Sequence, residues 1–373
     1  MAGKQRSIWF TTHMAAASYA IAERIPMVDI VLEVRDARAP ISSSIYELFK
    51  NFIHDSNQDK NLVGGSQIKA PFSFNCNLLK NFSNDANHVI VLNKMDLASR
   101  SQRKEWESYF RQMNYNCYAV NAHNKENIKE FLISLQSQVK ELKQPKHSSH
   151  TFSLMLVGIP NVGKSALANS LHHIGRISAA EKGRLKHATV SPFPVETKDI
   201  SALKIGSHPS IYVLDTPGVL PPYISSNNVY RKLALTDSIR DPLVGELELA
   251  QVFLRLFNLS DEYIKWGKHS SIITDSRNEK TRKGQYSTDH TQDFIVGDVR
   301  KTLYDSLASF EGDLEDENCM EKLIGEQFEA LKKAFRLCEE SEEMVNNKLA
   351  SKLLDLYRIG RLGHYTLDSL PVD

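Results

Sequence analysis

The strongest chemical signal in the chain is the segment 158–165, which reads GIPNVGKS and follows an apolar run. Its glycines let backbone N–H groups point inward around a chain of phosphates. Lys164 would reach the terminal phosphates, Ser165 would bind Mg²⁺, and the positive end of the following helix would add to the attraction. The segment predicts a phosphate-binding loop, with further contacts from Asn161, Val162, Gly163 and Ala166.

A second motif, Asn93-Lys94-Met95-Asp96, predicts which base is bound. The Asp96 carboxylate can accept two hydrogen bonds from the N1–H and 2-amino edge of guanine. Adenine lacks those donors and would leave the carboxylate unpaired. Lys94 would pack over the base and Asn93 would tie the loop. Together with the phosphate loop, this motif predicts GTP and GDP as ligands, with Asn121 and Ala122 completing the base site.

A third motif, Asp215-Thr216-Pro217-Gly218, follows a short apolar run. Asp215 would hold Mg²⁺ through water, and the Gly218 N–H would contact the γ-phosphate. Thr197 is the candidate for the threonine that closes on Mg²⁺ in the triphosphate state. Thr189, or no such residue, is the alternative.

The elements that must position these motifs are short apolar runs separated by helix-like segments. The runs are Met27–Val34, His88–Leu92, Tyr115–Val120, Phe152–Val157 and Ile211–Leu214. Their alternation with helices predicts an α/β fold, with a mostly parallel sheet and helices on both faces. The guanine motif precedes the phosphate loop, which is the reverse of the usual order. The pattern therefore predicts a circularly permuted P-loop G domain, because a sheet constrains spatial neighbours rather than chain order.

Composition shifts suggest a domain plan. We expect an N-terminal extension at 1–22, the G domain at 23–222 with an insertion at about 53–82, and a small all-α domain at 223–373. The polar stretch at about 268–292 is predicted to be a disordered loop within that last domain. Apolar stripes at helical spacing after residue 223 predict the core faces of its helices, with a partner-binding helix as the alternative.

The order of the motifs, together with Asp36-Ala37-Arg38-Ala39-Pro40, resembles the YlqF-type circularly permuted GTPases, also called DAR GTPases. The segments 233–241 and 357–363 are similar to the two ends of that family's helical domain. The likeness is closest to the mitochondrial ribosome-associated members. It implies hydrolysis of GTP to GDP and phosphate during late assembly of the large ribosomal subunit, with its RNA and proteins as partners.

The same resemblance implies a mitochondrial location, in the matrix or on the matrix side of the inner membrane, with cytoplasm or plastid as alternatives. We expect a monomer. No run approaches the roughly 20 apolar residues of a membrane span, so any association with a membrane would be peripheral. The acid-poor start of the chain suits a transit peptide, whereas Trp9, Phe10 and His13 suit a folded domain. The four scattered cysteines are interpreted as reduced thiols.

Catalysis needs a residue that positions water, and Val219 stands where many GTPases carry glutamine. The resemblance offers His13, because the segment 9–14 is similar to the family's Phe-Pro-Gly-His-Met, with Thr11 and Thr12 in place of Pro-Gly. We expect His13, Lys164 and Thr197 to be the catalytic residues. Asn161 resembles the asparagine that binds K⁺ in related GTPases, and turnover in K⁺ and Na⁺ at equal ionic strength tests that expectation.

Charge and composition leave alternatives open. The net charge of +1 gives no case for general polyanion binding, so RNA contact would need a local patch such as Lys182, Arg184, Lys186 and His187. That patch is equally consistent with a solvated loop. A nucleotide-gated protein-interaction switch with negligible hydrolysis is the alternative function. A nucleotide-dependent RNA-modifying enzyme is disfavoured, because the chain shows no further cofactor fingerprint or metal-ligand set.

Overall fold

The computed structural model of the chain describes residues 11–58, 87–142, 151–181, 200–207, 209–224, 226–239, 244–264, 266, 290–337 and 341–371. Thr197, Thr189, the basic patch at 182–187 and most of both predicted insertions lie outside the described residues. The chain forms two compact units. The first comprises Met1–Asp241 with Tyr365–Asp373, and the second comprises Pro242–His364.

The first unit is built on a six-stranded sheet with the strand order β3-β2-β1-β4-β6-β5. The strands are β1 Ile30–Asp36, β2 His88–Asn93, β3 Asn116–Ala119, β4 Thr151–Val157, β5 Ser201–Ser207 and β6 Ser210–Asp215. Neighbouring strands are parallel except for β5, which pairs antiparallel with β6. This arrangement confirms the predicted mostly parallel sheet and adds the edge strand β5, which was not predicted.

Helices cover both faces of this sheet. They are α1 Thr12–Arg24, α2 Ile45–Gln58, α3 Arg100–Gln112, α4 Lys125–Glu141, α5 Lys164–Glu181 and α6 Asn227–Leu235. Successive residues of a strand point to opposite faces. Leu32 of β1 accordingly packs with Leu135 of α4 and Leu171 of α5, whereas Val31 packs with Ile21 of α1 and Phe49 of α2. Burial on both faces explains why Ile30, Val31, Leu32 and Val34 are apolar, and the buried charges Glu33 and Asp36 of the same strand pair with Arg35 and Arg38.

The boundaries of the first unit differ from the domain plan drawn from composition. The plan began the helical domain at residue 223, yet Leu233 and Ile239 lie in the same hydrophobic cluster as the central strands. The plan also separated residues 1–22, yet Ile21 and Ala22 are buried against the sheet. Tertiary packing therefore places α1, α6 and the last residues of the chain with the G domain.

The second unit is helical, as predicted, with α7 Glu246–Asn258, α8 His290–Ala308, α9 Glu317–Ala334 and α10 Glu342–Arg358. The predicted stripe of Phe328, Leu331 and Phe335 is buried. Asn258 of α7 and Gln327 of α9 exchange two hydrogen bonds of 3.1 and 2.7 Å between their buried amides. Because each buried amide meets a partner, the pair fixes the register of α7 against α9 without an unsatisfied polar group.

Among the residues that the structure describes, no helix combines the length and hydropathy needed to cross a membrane. Cys117 and Cys319 are free thiols. Burial raises the pKa of Cys117 to about 12, which keeps this thiol protonated and unreactive.

Candidate nucleotide-binding site

The predicted motifs converge where the parallel strands end. Asp36 at the end of β1 is in register with Asn93 at the end of β2. The phosphate loop follows β4, and Asp215 is the last residue of β6. In a sheet of this kind, ligands bind outside the carboxyl ends of the strands, beside the point where the connections change direction. The central pair β1 and β4 meets that description.

The phosphate loop, residues 158–165, requires glycine at two points. Gly163 has a φ of 92°, and a Cβ on it would collide with the side-chain nitrogen of Asn93. A Cβ on Gly158 would collide with the carbonyl oxygen of Val34. The loop therefore lies directly against the ends of β1 and β2. This contact turns the backbone of the loop toward the carboxyl ends of the strands.

Lys164 begins α5 and is 5% exposed. Its Nζ donates to the carbonyl oxygen of Ile159 at 2.8 Å, so the ammonium group is folded back over the loop. Burial lowers the pKa of Lys164 to about 8, and the neighbouring Asp215 carboxylate opposes that shift. The site thus holds a partly desolvated cation where phosphates would bind.

This pKa predicts a pH dependence of nucleotide binding. Bound phosphates stabilise the charged lysine, so binding must take up a proton wherever the free lysine is neutral. We expect the Kd for GTP to be flat near pH 7 and to rise above pH 8, by at most about tenfold per pH unit. Calorimetry in buffers of different ionisation enthalpy should show proton uptake at pH 8.8 (roughly one proton at most). A Kd that stays constant from pH 7 to 9 would contradict this role of Lys164.

Asn93 connects three motifs that are far apart in the chain. Its side-chain nitrogen donates to the carbonyl oxygen of Val162 at 2.8 Å, and its side-chain oxygen accepts from the Ala122 N–H at 3.2 Å. Ser170 of α5 then donates to the Ala122 carbonyl oxygen at 2.7 Å. One buried amide therefore joins the phosphate loop to both segments that were predicted to hold the base.

The guanine loop, residues 93–97, turns sharply after β2. Lys94 has a φ of 58°, and the Leu97 N–H donates to the Lys94 carbonyl oxygen at 2.9 Å. This turn leaves Asp96 exposed at its tip. The Asn121 side chain accepts from the His123 N–H at 2.9 Å, which closes the neighbouring turn.

Asp36 stabilises the guanine loop by pairing with Lys94, a role that sequence reasoning missed. Its buried carboxylate accepts from Arg38 Nε at 3.0 Å and from Arg38 Nη2 at 2.8 Å, and Lys94 Nζ lies 3.2 Å from the same carboxylate. Burial would raise the pKa of Asp36, but Arg38 and Lys94 hold it well below its usual range. Asp36 and Arg38 thus form a buried ion pair. The added ion pair orients the lysine that was predicted to pack on the base.

The segment after β6 packs on the phosphate loop. Asp215 is 5% exposed, and Thr216 Oγ1 donates to the Leu156 carbonyl oxygen at 2.6 Å. A Cβ on Gly218 would come within 2.6 Å of the Pro160 backbone. Gly218 therefore packs against the phosphate loop, and the Asp215 carboxylate lies close enough to Lys164 to act on its pKa.

The residues considered for catalysis and for cation binding differ in burial and in contacts. Val219 is fully buried in a cluster that includes Ile21 of α1. His13 is exposed in the first turn of that helix, and Thr11 caps the helix by accepting from the Met14 N–H at 3.2 Å. The threonine that replaces the family's proline thus starts a helix. Asn161, with a φ of 59°, donates to the Asp237 carbonyl oxygen at 2.7 Å.

Comparison with known proteins decides the family. Residues 153–244 match the family model described as 50S ribosome-binding GTPase. The chain is 52% identical over 368 residues to DAR GTPase 2, mitochondrial, of Arabidopsis thaliana, which covers 96% of this chain and 90% of that protein. The chain belongs to the YlqF-type circularly permuted GTPases, the DAR GTPases.

Two further relatives agree with this assignment. The DAR GTPase described here is 37% identical over 381 residues to Short integuments 2, mitochondrial, of Arabidopsis thaliana, covering 97% of this chain and 89% of that protein. It is 30% identical over 258 residues to Mitochondrial ribosome-associated GTPase 1 of Bos taurus, covering 69% and 67%. The family predicted from the order of the motifs is therefore confirmed.

Proposed function

We propose that this DAR GTPase binds GTP with Mg²⁺, hydrolyses it to GDP and phosphate, and acts in late assembly of the large subunit of the mitochondrial ribosome. The observation that carries the proposal is the double hydrogen bond of Asn93 to Val162 and Ala122. It places the guanine loop and the phosphate loop side by side, so that Asp96 and Lys164 can hold opposite ends of one nucleotide.

The donor set fits Mg²⁺, a hard cation that prefers oxygen ligands and keeps several waters. Ser165 lies in the first turn of α5, and the Asp215 carboxylate is close enough to Lys164 to influence its pKa. We propose that Ser165, Asp215 and Thr197 hold the ion. When bound, Mg²⁺ would neutralise charge on the β- and γ-phosphates.

The ribosomal and mitochondrial parts of the proposal are supported by the matching family, whose members are named for binding the 50S ribosome, and by the relatives, which are named as mitochondrial proteins. The test is co-sedimentation of the purified protein with large subunits from mitochondria, plastids and cytoplasm. We expect binding to the mitochondrial subunit that is stronger with a non-hydrolysable GTP analogue than with GDP. Equal binding with both nucleotides, or preference for another subunit, would contradict the proposal.

His13 is our candidate for positioning the attacking water. His13, Ala17 and Ile21 recur every four residues and lie along one face of α1. Ala17 and Ile21 pack in the cluster that contains Val219. The face of the helix that carries His13 therefore adjoins the position where other GTPases use glutamine. An imidazole has a suitable pKa to orient or accept a proton from water.

Replacing His13 with alanine should separate catalysis from binding. We expect the His13→Ala variant to keep the wild-type affinity for GTP, because His13 makes none of the contacts that shape the guanine and phosphate loops. Its turnover in the presence of ribosomal particles should fall by about 100-fold. The His173→Ala variant, which changes an exposed histidine of α5, is the matched control. Unchanged stimulated turnover in His13→Ala would exclude His13 from the mechanism.

A nucleotide-gated interaction switch with negligible hydrolysis is the second candidate. The observation in its favour is Val219, which is apolar and fully buried where a water-orienting side chain is common. Turnover measured with and without purified large subunits separates the two functions. Stimulation by the particle supports the assembly GTPase, whereas nucleotide-dependent binding without turnover supports the switch.

A further inference from the structure

The C-terminal tail, residues 365–371, is bound to the first unit through one carboxylate. Asp368 Oδ2 accepts from the N–H groups of Ile41 and Ser42, each at 2.8 Å. Its Oδ1 accepts from Ser42 Oγ at 2.6 Å and from Lys232 Nζ at 2.9 Å. An ionised carboxylate has about four acceptor sites, so Asp368 uses its full capacity, and it is only 5% exposed.

The tail also contacts the loop that carries the DAR motif, and it shares a hydrophobic cluster with the guanine loop. We call residues 36–44 the DAR loop. The Leu367 N–H donates to the Arg38 carbonyl oxygen at 2.6 Å. Leu370 packs on a hydrophobic cluster with Ala37 of the DAR loop and Met95 of the guanine loop. The tail thus binds the DAR loop directly and meets the guanine loop through a shared hydrophobic cluster.

Arg38 anchors both chain segments that connect with the helical unit. Its Nη2 donates to the carbonyl oxygen of Thr236, shortly before that unit begins, at 3.3 Å. Its own carbonyl oxygen accepts from Leu367, shortly after that unit ends. The same guanidinium holds the Asp36 carboxylate that pairs with Lys94. Only two residues, Arg38 and Asp36, therefore connect the tail with Lys94, and a displacement of the tail would alter the position of Lys94 through them.

We propose that the C-terminal tail is a positioning element of the guanine site, acting through the DAR loop on Lys94 and Met95. The inference rests on the proposed guanine binding and extends it to a segment outside the motifs predicted to bind the nucleotide. Coupling between two sites is reciprocal. If release of the tail weakens the binding of guanine nucleotide, bound nucleotide must disfavour the open tail by the same factor, and we expect the weaker binding to appear as faster dissociation.

The test uses the full chain with Asp368→Asn, which keeps the shape of the side chain and removes its charge. We expect a fluorescent GDP analogue to dissociate about fivefold faster than from wild type. Amide hydrogen exchange should accelerate at residues 94–97 and 365–371. Glu105→Gln, which neutralises an exposed carboxylate of α3, should behave as wild type. Asp368→Glu keeps the charge and should restore part of the slow dissociation.

Amide exchange in α4 distinguishes this local effect from a general loss of stability. Exchange at Ile128 and Phe131 of α4 should stay at the wild-type level. If Asp368→Asn does not fold, Ser42→Ala removes one contact to the same carboxylate and should give a smaller change in the same direction. Faster exchange of the tail with unchanged exchange at residues 94–97 overturns the proposal. If wild type binds no guanine nucleotide, the proposed function fails, and exchange in the nucleotide-free protein still decides whether the tail positions the guanine loop.

Discussion

The Asp96→Asn variant should lose affinity for GTP and gain affinity for XTP. An amide offers a donor where the carboxylate accepted from the 2-amino group of guanine, and xanthine carries a carbonyl oxygen at that position. We expect the Kd for GTP to rise by about 1,000-fold or more, because a site built on hydrogen bonds rejects a partner that leaves them unmade. XTP should recover most of the lost affinity. Direct titration of both nucleotides measures the change.

Folding should contribute little to this result. Asp96 is exposed at the tip of the guanine loop, so its replacement should alter the free energy of unfolding by no more than about 0.5 kcal/mol. Glu105→Gln again serves as the control for loss of one exposed negative charge. If Asp96→Asn bound GTP as tightly as wild type, residue 96 would not contact the base, and the assignment of the guanine loop would be wrong.

Gly163→Ala should disrupt the site from its centre. The φ of 92° at residue 163 is one that L side chains rarely adopt, and the new Cβ would collide with the Asn93 side-chain nitrogen. Asn93 would have to give up its bond to Val162. We expect the free energy of unfolding to fall by about 1 to 3 kcal/mol and GTP affinity to fall by about 100-fold or more. Chemical denaturation and nucleotide titration measure these two effects.

The matched control is the same substitution at Gly325. This glycine lies inside α9, and a Cβ there would meet nothing within 4 Å. Alanine is the better helix former, so Gly325→Ala should raise the free energy of unfolding by about 1 kcal/mol and leave GTP affinity unchanged. If Gly163→Ala kept wild-type affinity, the close contact between the phosphate loop and Asn93 would not matter for binding.

The edge strand β5 shows where pattern reasoning fails. Its sequence, Ser201–Ser207, alternates only weakly and carries polar residues, because one side of an edge strand faces solvent. Ile205 is buried in the central hydrophobic cluster, and Leu203 packs against that cluster while only partly buried. By contrast, β1 and β2 are buried throughout, and their mainly apolar runs predicted that both strands exist.

The side-chain contacts that complete the site could not be predicted, because they join residues that are far apart in the sequence. Asp368 carries no local signal, yet its carboxylate is saturated by donors from the DAR loop and from α6. The Asp36–Lys94 ion pair depends on the pairing of β1 with β2. Such contacts can be predicted only when the strand order and the helix packing are known.

The sequence by itself determined the class of ligand, the permuted order of the motifs and the family. The class of ligand rests on spacing within a few residues, where chain geometry dictates which groups can meet one nucleotide, and the permutation and the family rest on the order in which those local motifs follow one another. Only the tertiary structure decided that α1, α6 and the C-terminal tail belong to the G domain, and that Asn93, Asp36 and Arg38 hold its loops together. These contacts span up to several hundred residues, and their formation depends on the packing of the whole unit rather than on any local pattern.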